Sequence, residues 1–186
     1  MQYQGATALI IVLNGYPGVG KLTIGQELVA RINGRLLDIH SVYNIPFALT
    51  EFKSPEFIEA AQKIEAIAHD LVLKLPNEVP VVLTTVLAGS SDWGDAEWKR
   101  IVDLGRERPP LLVVHLHCDL EENIRRIQSA GRAAKRKPRD AEMARRNHEQ
   151  RKVLAGINET NLLQLDVTSL SSADAAERIA RWAKGD

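Results

Sequence analysis

The chain has 186 residues, 45% hydrophobic and 26% charged, with 24 basic residues against 24 acidic. That is enough for one domain with a real core and too few for two, and it excludes a disordered or fibrous chain. No apolar run approaches the roughly 20 residues of a membrane-spanning helix, no secretory signal stands at the N-terminus, and a lone Cys118 allows no internal disulfide, so a cytoplasmic protein is expected.

Ala8 to Leu13 is a continuous apolar run with β-branched residues, as expected of a strand buried on both faces. A Gly/Pro-rich turn, Asn14 to Gly20, follows. A helical pattern then runs from about Lys21 to Ile32 and stops at Asn33-Gly34. Arg35 to Ile39 reads as a short second strand. Ser54-Pro55-Glu56 reads as a helix start, with Ser54 as N-cap, and that helix reaches about Leu73. Val79 to Leu87 is a third strand, Asp92 to Arg106 a helix, and Leu111 to His117 a fourth strand. Helices follow from Asp119 to Ala130 and from Asp140 to about Leu154, on either side of an exposed stretch from Arg132 to Arg139. Leu162 to Val167 closes the strands and Ala173 to Ala183 the helices. Strands alternating with helices predict an α/β domain with a mainly parallel sheet and a ligand site at its carboxyl edge.

Charge is unevenly placed. Arg125 to Lys152 holds eleven basic and three acidic residues, a net of +8 that leaves −8 on the rest. A polyanionic ligand is implied, either a nucleoside triphosphate or a nucleic acid.

The strongest motif is Gly15-Tyr16-Pro17-Gly18-Val19-Gly20-Lys21-Leu22-Thr23. Glycines let successive backbone N–H groups turn onto a phosphate, and the next helix adds its positive end. Lys21 supplies a mobile charge to the β and γ phosphates and Thr23 a hydroxyl for Mg²⁺. Leu22 stands where the commonest pattern has Ser or Thr.

The form G-x-P-G-x-G-K-x-T resembles the phosphate loop of the adenylate kinase group, and the chain is similar to small P-loop kinases of the nucleoside-monophosphate and shikimate kinase type. The resemblance implies a three-layer P-loop fold over residues 1–186 with a five-stranded parallel sheet in the order 2-3-1-4-5. It also implies ATP and Mg²⁺ as ligands, an acceptor-binding region at about 41–75 and a basic lid at about 131–140. By position, Arg132 takes the catalytic lid role, with Arg126, Arg136 and Arg139 as helpers. The turn holding Asp166 and Thr168 corresponds to one that borders adenine; both residues could equally form the turn itself. Shikimate-type kinases carry an Asp-x-Asp pair where this chain has Asp38-Ile39-His40. Strand alternation puts Asp38 and His40 on one side. Asp38 could then hold Mg²⁺ through water, and His40 could orient or deprotonate an acceptor hydroxyl.

Thr84 and Thr85 stand where many P-loop proteins carry an aspartate, and Asp92 reads as a cap of the next helix. The acceptor region has no arginine, only Lys53, Lys63 and Lys74. An uncharged, partly apolar hydroxyl compound fits its Tyr43, Phe47 and Phe52 better than an anionic acceptor, while Phe57 reads as core. His115 and His117 share a strand face without a further ligand, so no structural zinc is assigned. The expected activity is ATP-dependent phosphorylation of a small hydroxyl compound. A nucleic-acid or antibiotic phosphotransferase and a nucleotide-binding module without transfer activity stand as alternatives.

Overall fold

A computed structural model describes residues 8–129 and 140–185. The strands are β1 (Ile10–Asn14), β2 (Arg35–Asp38), β3 (Val81–Thr85), β4 (Leu111–His117) and β5 (Leu162–Asp166). The helices are α1 (Lys21–Ile32), α2 (Ile39–Leu49), α3 (Pro55–Leu73), α4 (Asp92–Glu107), α5 (Leu120–Gln128), α6 (Ala141–Gln150) and α7 (Ser172–Lys184). All strand pairs are parallel, in the order β2-β3-β1-β4-β5. This is the expected P-loop kinase topology. Among the described residues no helix is long and apolar enough to cross a membrane.

Period-two alternation along β1 builds both layers of the core. Ile11 and Leu13 pack with Ile24 and Leu28 of α1 and Ile179 of α7. Ile10 and Val12 face the other way, onto Val72 of α3 and Ile101 and Leu104 of α4. These β1 side chains are fully buried, and each contributes roughly 1.5–3 kcal/mol by leaving water. With both faces covered, the central strand has no polar side to show, which is why its sequence is one apolar run.

Caps fix most helix starts. Ser54 accepts from the Phe57 N–H at 3.1 Å, with Pro55 in the first turn. Asp119 accepts from the Glu122 N–H at 2.8 Å, and Ser171 from the Asp174 N–H at 3.1 Å. At α4 the cap is Ser91, which accepts from the Gly94 N–H at 3.1 Å; Asp92 is the first helical residue, not the cap expected from sequence. There its carboxylate still meets the positive helix end. Helix α6 stops at Gln150, earlier than the expected Leu154, because Arg151 turns left-handed at φ 44°.

One expected element is corrected at the site itself. β2 does not run through His40: it ends at Asp38, and Ile39 opens α2. The Ile39 N–H goes to the Thr84 hydroxyl at 3.2 Å rather than into the strand ladder, so strand alternation does not relate Asp38 to His40.

Candidate active site

The phosphate loop leaves the carboxyl end of β1, where Asn14 anchors it. The buried Asn14 Oδ1 accepts from the Gly15 N–H at 2.8 Å and from the Leu87 N–H at 3.1 Å. Its amide donates to the Leu87 carbonyl at 2.9 Å and the Ala155 carbonyl at 3.1 Å. One side chain thus ties the loop to the segments after β3 and α6. Gly18 and Gly20 adopt φ values of 97° and 101°, which side-chain-bearing residues rarely tolerate. At Gly15 the constraint is space: a Cβ would lie 2.4 Å from the Leu116 carbonyl oxygen. Gly20 precedes α1 without a side-chain cap. The Lys21 ammonium curls back over the loop and donates to the Gly15 carbonyl at 2.6 Å and the Tyr16 carbonyl at 3.0 Å.

Helix α5 clamps this loop from the other side. Asn123 Nδ2 donates to the Pro17 carbonyl at 3.0 Å. Arg126 donates to the Val19 carbonyl at 3.0 Å, to the Val167 carbonyl at 2.7 Å and to Glu122 at 2.6 Å. The hydrogen bonds from Arg125 and Arg126 hold the Glu122 carboxyl down to about 2. Arg126 therefore fastens the phosphate loop to the turn after β5. In that turn Asp166 accepts from the Thr168 N–H at 2.8 Å, and the Thr168 hydroxyl accepts from the Asp119 N–H at 2.9 Å. Neither is among the described residues lining the central cavity, whereas Leu170 and Ser172 just beyond are. Arg132, Arg136 and Arg139 lie outside the described residues.

A cavity of about 960 Å³ opens at the carboxyl edge of the sheet. Pro17, Gly18, Gly20, Lys21, Leu22 and Thr23 form the end of it made by the loop, while Gly15 and the buried Val19 are not among its described lining residues. Asp38 and His40 also line it, brought together by the β2–α2 junction. Asp38 is level with Thr84, and Thr84 with Leu13, across the sheet. Two strand spacings thus separate the Asp38 and Leu13 backbones by roughly 10 Å. The Thr84 hydroxyl donates to the Asp38 carboxylate at 2.5 Å and holds it in place.

Tyr43, Phe47, Phe52 and Val86 continue the cavity wall beyond Asp38. Phe57 is fully buried behind them, as expected from sequence. Behind Tyr43 lies a polar network that sequence reasoning missed. The Tyr43 hydroxyl donates to Glu97, which is 1% exposed and also accepts from Trp93 Nε1 at 3.1 Å and the Thr85 hydroxyl at 3.3 Å. Burial pushes the Glu97 carboxyl up and the Tyr43 phenol up with it. Arg100 bonds Glu65 at 2.6 Å; burial nevertheless pushes that carboxyl up to about 7. His69, 3.8 Å from Glu65, is pushed down to about 4 by burial and by Arg100. Only the helical spacing of Trp93, Glu97 and Arg100 hinted at this inward acidic face. His115 is engaged separately, at 2.8 Å from the Ala155 carbonyl.

The donor set suits a hard divalent cation. The Thr23 hydroxyl and the Asp38 carboxylate belong to one cavity and are both oxygen ligands. Among the described residues no three His, Cys, Asp or Glu gather into a metal cage. A cation here would complete its shell with phosphate oxygens and water, the usual arrangement for Mg²⁺ beside a nucleotide.

A family model described as an AAA domain (AAA_18) matches residues 11–153, from β1 past α6. The chain belongs to this family. The AAA_18 match covers the phosphate loop, the Asp38–His40 junction and the α5 clamp. No curated protein matches the sequence. Among solved structures, a proposed kinase from Chloroflexus aurantiacus J-10-fl is 15% identical, with a TM-score of 0.70 over 96% of this chain and 98% of its own. A shikimate kinase from Bacteroides thetaiotaomicron is 17% identical, with a TM-score of 0.60 over 95% and 99%. A gluconokinase from Sinorhizobium meliloti 1021 is 14% identical, with a TM-score of 0.58 over 97% of each chain. These likenesses establish the fold of a small P-loop kinase of the shikimate kinase-like group.

Proposed function

We propose that this chain transfers the γ-phosphoryl group of ATP to a hydroxyl of a small molecule. The observation that supports this best is the shared cavity, which joins a glycine-turned phosphate loop with Lys21 to a second compartment containing Asp38 and His40. The same fold carries a gluconokinase and a shikimate kinase, both small-molecule kinases by name.

In this reading the loop amides and Lys21 hold the β and γ phosphates. Mg²⁺, when bound, neutralises charge on those phosphates; Thr23 and, through water, Asp38 would hold it. His40 orients the acceptor hydroxyl and takes its proton as the oxygen bonds to the γ phosphorus. The bond from that phosphorus to the bridging oxygen breaks, and ADP leaves. Arg126 keeps the loop in shape, while Arg132 and Arg136 are proposed to close on the phosphates from the basic lid. Leu170 and Ser172 are proposed to border the adenine, beside the turn of Asp166 and Thr168. A cytoplasmic location belongs to the same proposal.

The test is a screen for ADP release across hydroxyl compounds, comparing ATP with GTP. Release that requires both an acceptor and Lys21 supports the kinase. The threonines at the end of β3, where a carboxylate often stands, favour one second reading: a nucleotide-binding module without transfer activity. Tight Mg·ATP binding with no acceptor-dependent ADP release would select it. Steeply salt-dependent RNA or DNA binding would select a nucleic-acid acceptor instead.

A further inference from the structure

We propose that the acceptor compartment takes an uncharged hydroxyl compound bearing a flat apolar ring, which stacks on Phe47 and Phe52. This rests on the phosphoryl-transfer reading above and names its substrate class.

Phe47 and Phe52 line the cavity yet stand 44% and 61% exposed. Two adjacent aromatic side chains partly open to water are a driving force for binding an apolar partner. They are held in place from behind. Buried Phe57 contacts Phe47 at 5.1 Å and Phe52 at 5.2 Å between ring centroids, the latter edge to face. The two open rings are themselves 5.4 Å apart and inclined at 37°. Tyr43 joins the same cluster, 5.9 Å from Phe47, and its hydroxyl is fixed by Glu97.

The charge distribution points the same way. The lysine and arginine side chains among the described lining residues are Lys21, Arg125 and Arg126, from the phosphate loop and α5. None comes from α2 or α3. Arg100, which reaches toward the acceptor side from α4, is committed to Glu65 at 2.6 Å. Lys53 sits over the Phe52 ring at 5.5 Å from its centroid and is not among the lining residues. An anionic acceptor would lose hydration against the α2 and α3 wall, where the described lining residues supply no cation in return. Asn44 offers neutral hydrogen bonding beside the aromatic wall, and His40, proposed above to meet the acceptor hydroxyl, lines the same cavity.

The experiment uses the whole chain with Mg·ADP bound. Binding is measured by calorimetry for phenyl-bearing alcohols and phenyl glycosides, their ring-free parents, and gluconate and shikimate. At least one phenyl compound should bind roughly tenfold tighter than its ring-free parent, and the two anions more weakly than either. Phe52→Ala should erase the preference for the ring, while its Mg·ADP heat reports that the fold is intact. The proposal is overturned if no phenyl compound binds, if gluconate or shikimate binds more tightly, or if the preference survives both Phe52→Ala and Phe47→Ala. A parent chain that fails to bind Mg·ADP and Mg·ATP would instead sink the kinase reading itself.

Discussion

The Thr84 hydroxyl donates to the Asp38 carboxylate at 2.5 Å while accepting from the Ile39 N–H at 3.2 Å. One buried hydroxyl thereby ends β2, starts α2 and fixes a cavity carboxylate. Thr84→Val keeps the shape but leaves a backbone donor without its partner. It should cost about 1–3 kcal/mol, while Thr84→Ser should cost less. Urea denaturation of both variants measures the difference, and a Thr84→Val loss no larger than that of Thr84→Ser would contradict the weight given to the hydroxyl.

Gly15 faces the Leu116 carbonyl so closely that a Cβ would sit 2.4 Å from its oxygen. The Leu116 oxygen belongs to the β4 backbone and the Cβ would be fixed to the loop backbone at buried Gly15, so neither can move cheaply. Gly15→Ala should lower stability by roughly 1–3 kcal/mol and weaken Mg·ATP binding as the loop shifts. Thermal denaturation and calorimetry together check this. A fully stable variant with parental affinity would mean the loop has slack that the structure does not show.

Glu97 accepts from three donors on three elements, Tyr43, Thr85 and Trp93. Removing it with Glu97→Ala leaves those donors unpaired in a dry site and should cost several kcal/mol, on the order of 2–4. Glu97→Gln keeps one acceptor and should cost clearly less. Trp93 fluorescence reports the local change, and chemical denaturation the stability. Indistinguishable variants would mean the cluster is held by packing alone.

Glu65 and His69 should pull stability in opposite directions with pH. Burial raises the Glu65 carboxyl from 4.5 to about 7, so the folded chain binds more protons in that window and loses stability as pH rises through it. His69 is lowered from 6.5 to about 4, so the unfolded chain binds more protons there and stability falls as pH falls. Relative to the parent, Glu65→Gln should make stability rise more steeply with pH between about 4.5 and 6.5, and His69→Gln less steeply. Urea midpoints at several pH values test this. Both variants shifting the slope in one direction would contradict the assignment.

The fold was largely legible because its strongest signals are local. The limits of α1 and β4 coincide with the hydrophobic pattern, since a parallel-sheet core needs continuous apolar strands and one-sided helices. Helix α2 was not legible. Pro46 lies inside it and no side chain caps it, and these outweigh the helical i, i+4 spacing of Tyr43 and Phe47. The turn between β1 and α1 could be read from its glycine spacing and the apolar run before it. Its supports could not: Asn14 reaches Ala155 across 141 residues, and Arg126 reaches Val19 across 107. The Glu97 and Glu65 network was hidden for the same reason, because buried acids look like surface acids until their partners arrive from other helices. A reading by strand alternation also failed at His40, where one hydrogen bond from Ile39 to Thr84 turns strand into helix.

The central claim is that the loop from Gly15 to Thr23 holds the terminal phosphates of a nucleotide. Titration calorimetry with Mg·ATP on the parent chain and on Lys21→Ala tests it most directly, with circular dichroism to confirm the fold of both. The account predicts saturable binding by the parent and a loss of at least roughly tenfold in the variant, since an ammonium contact to phosphate is removed. Equal binding by the two chains, or no heat from a folded parent, would contradict it.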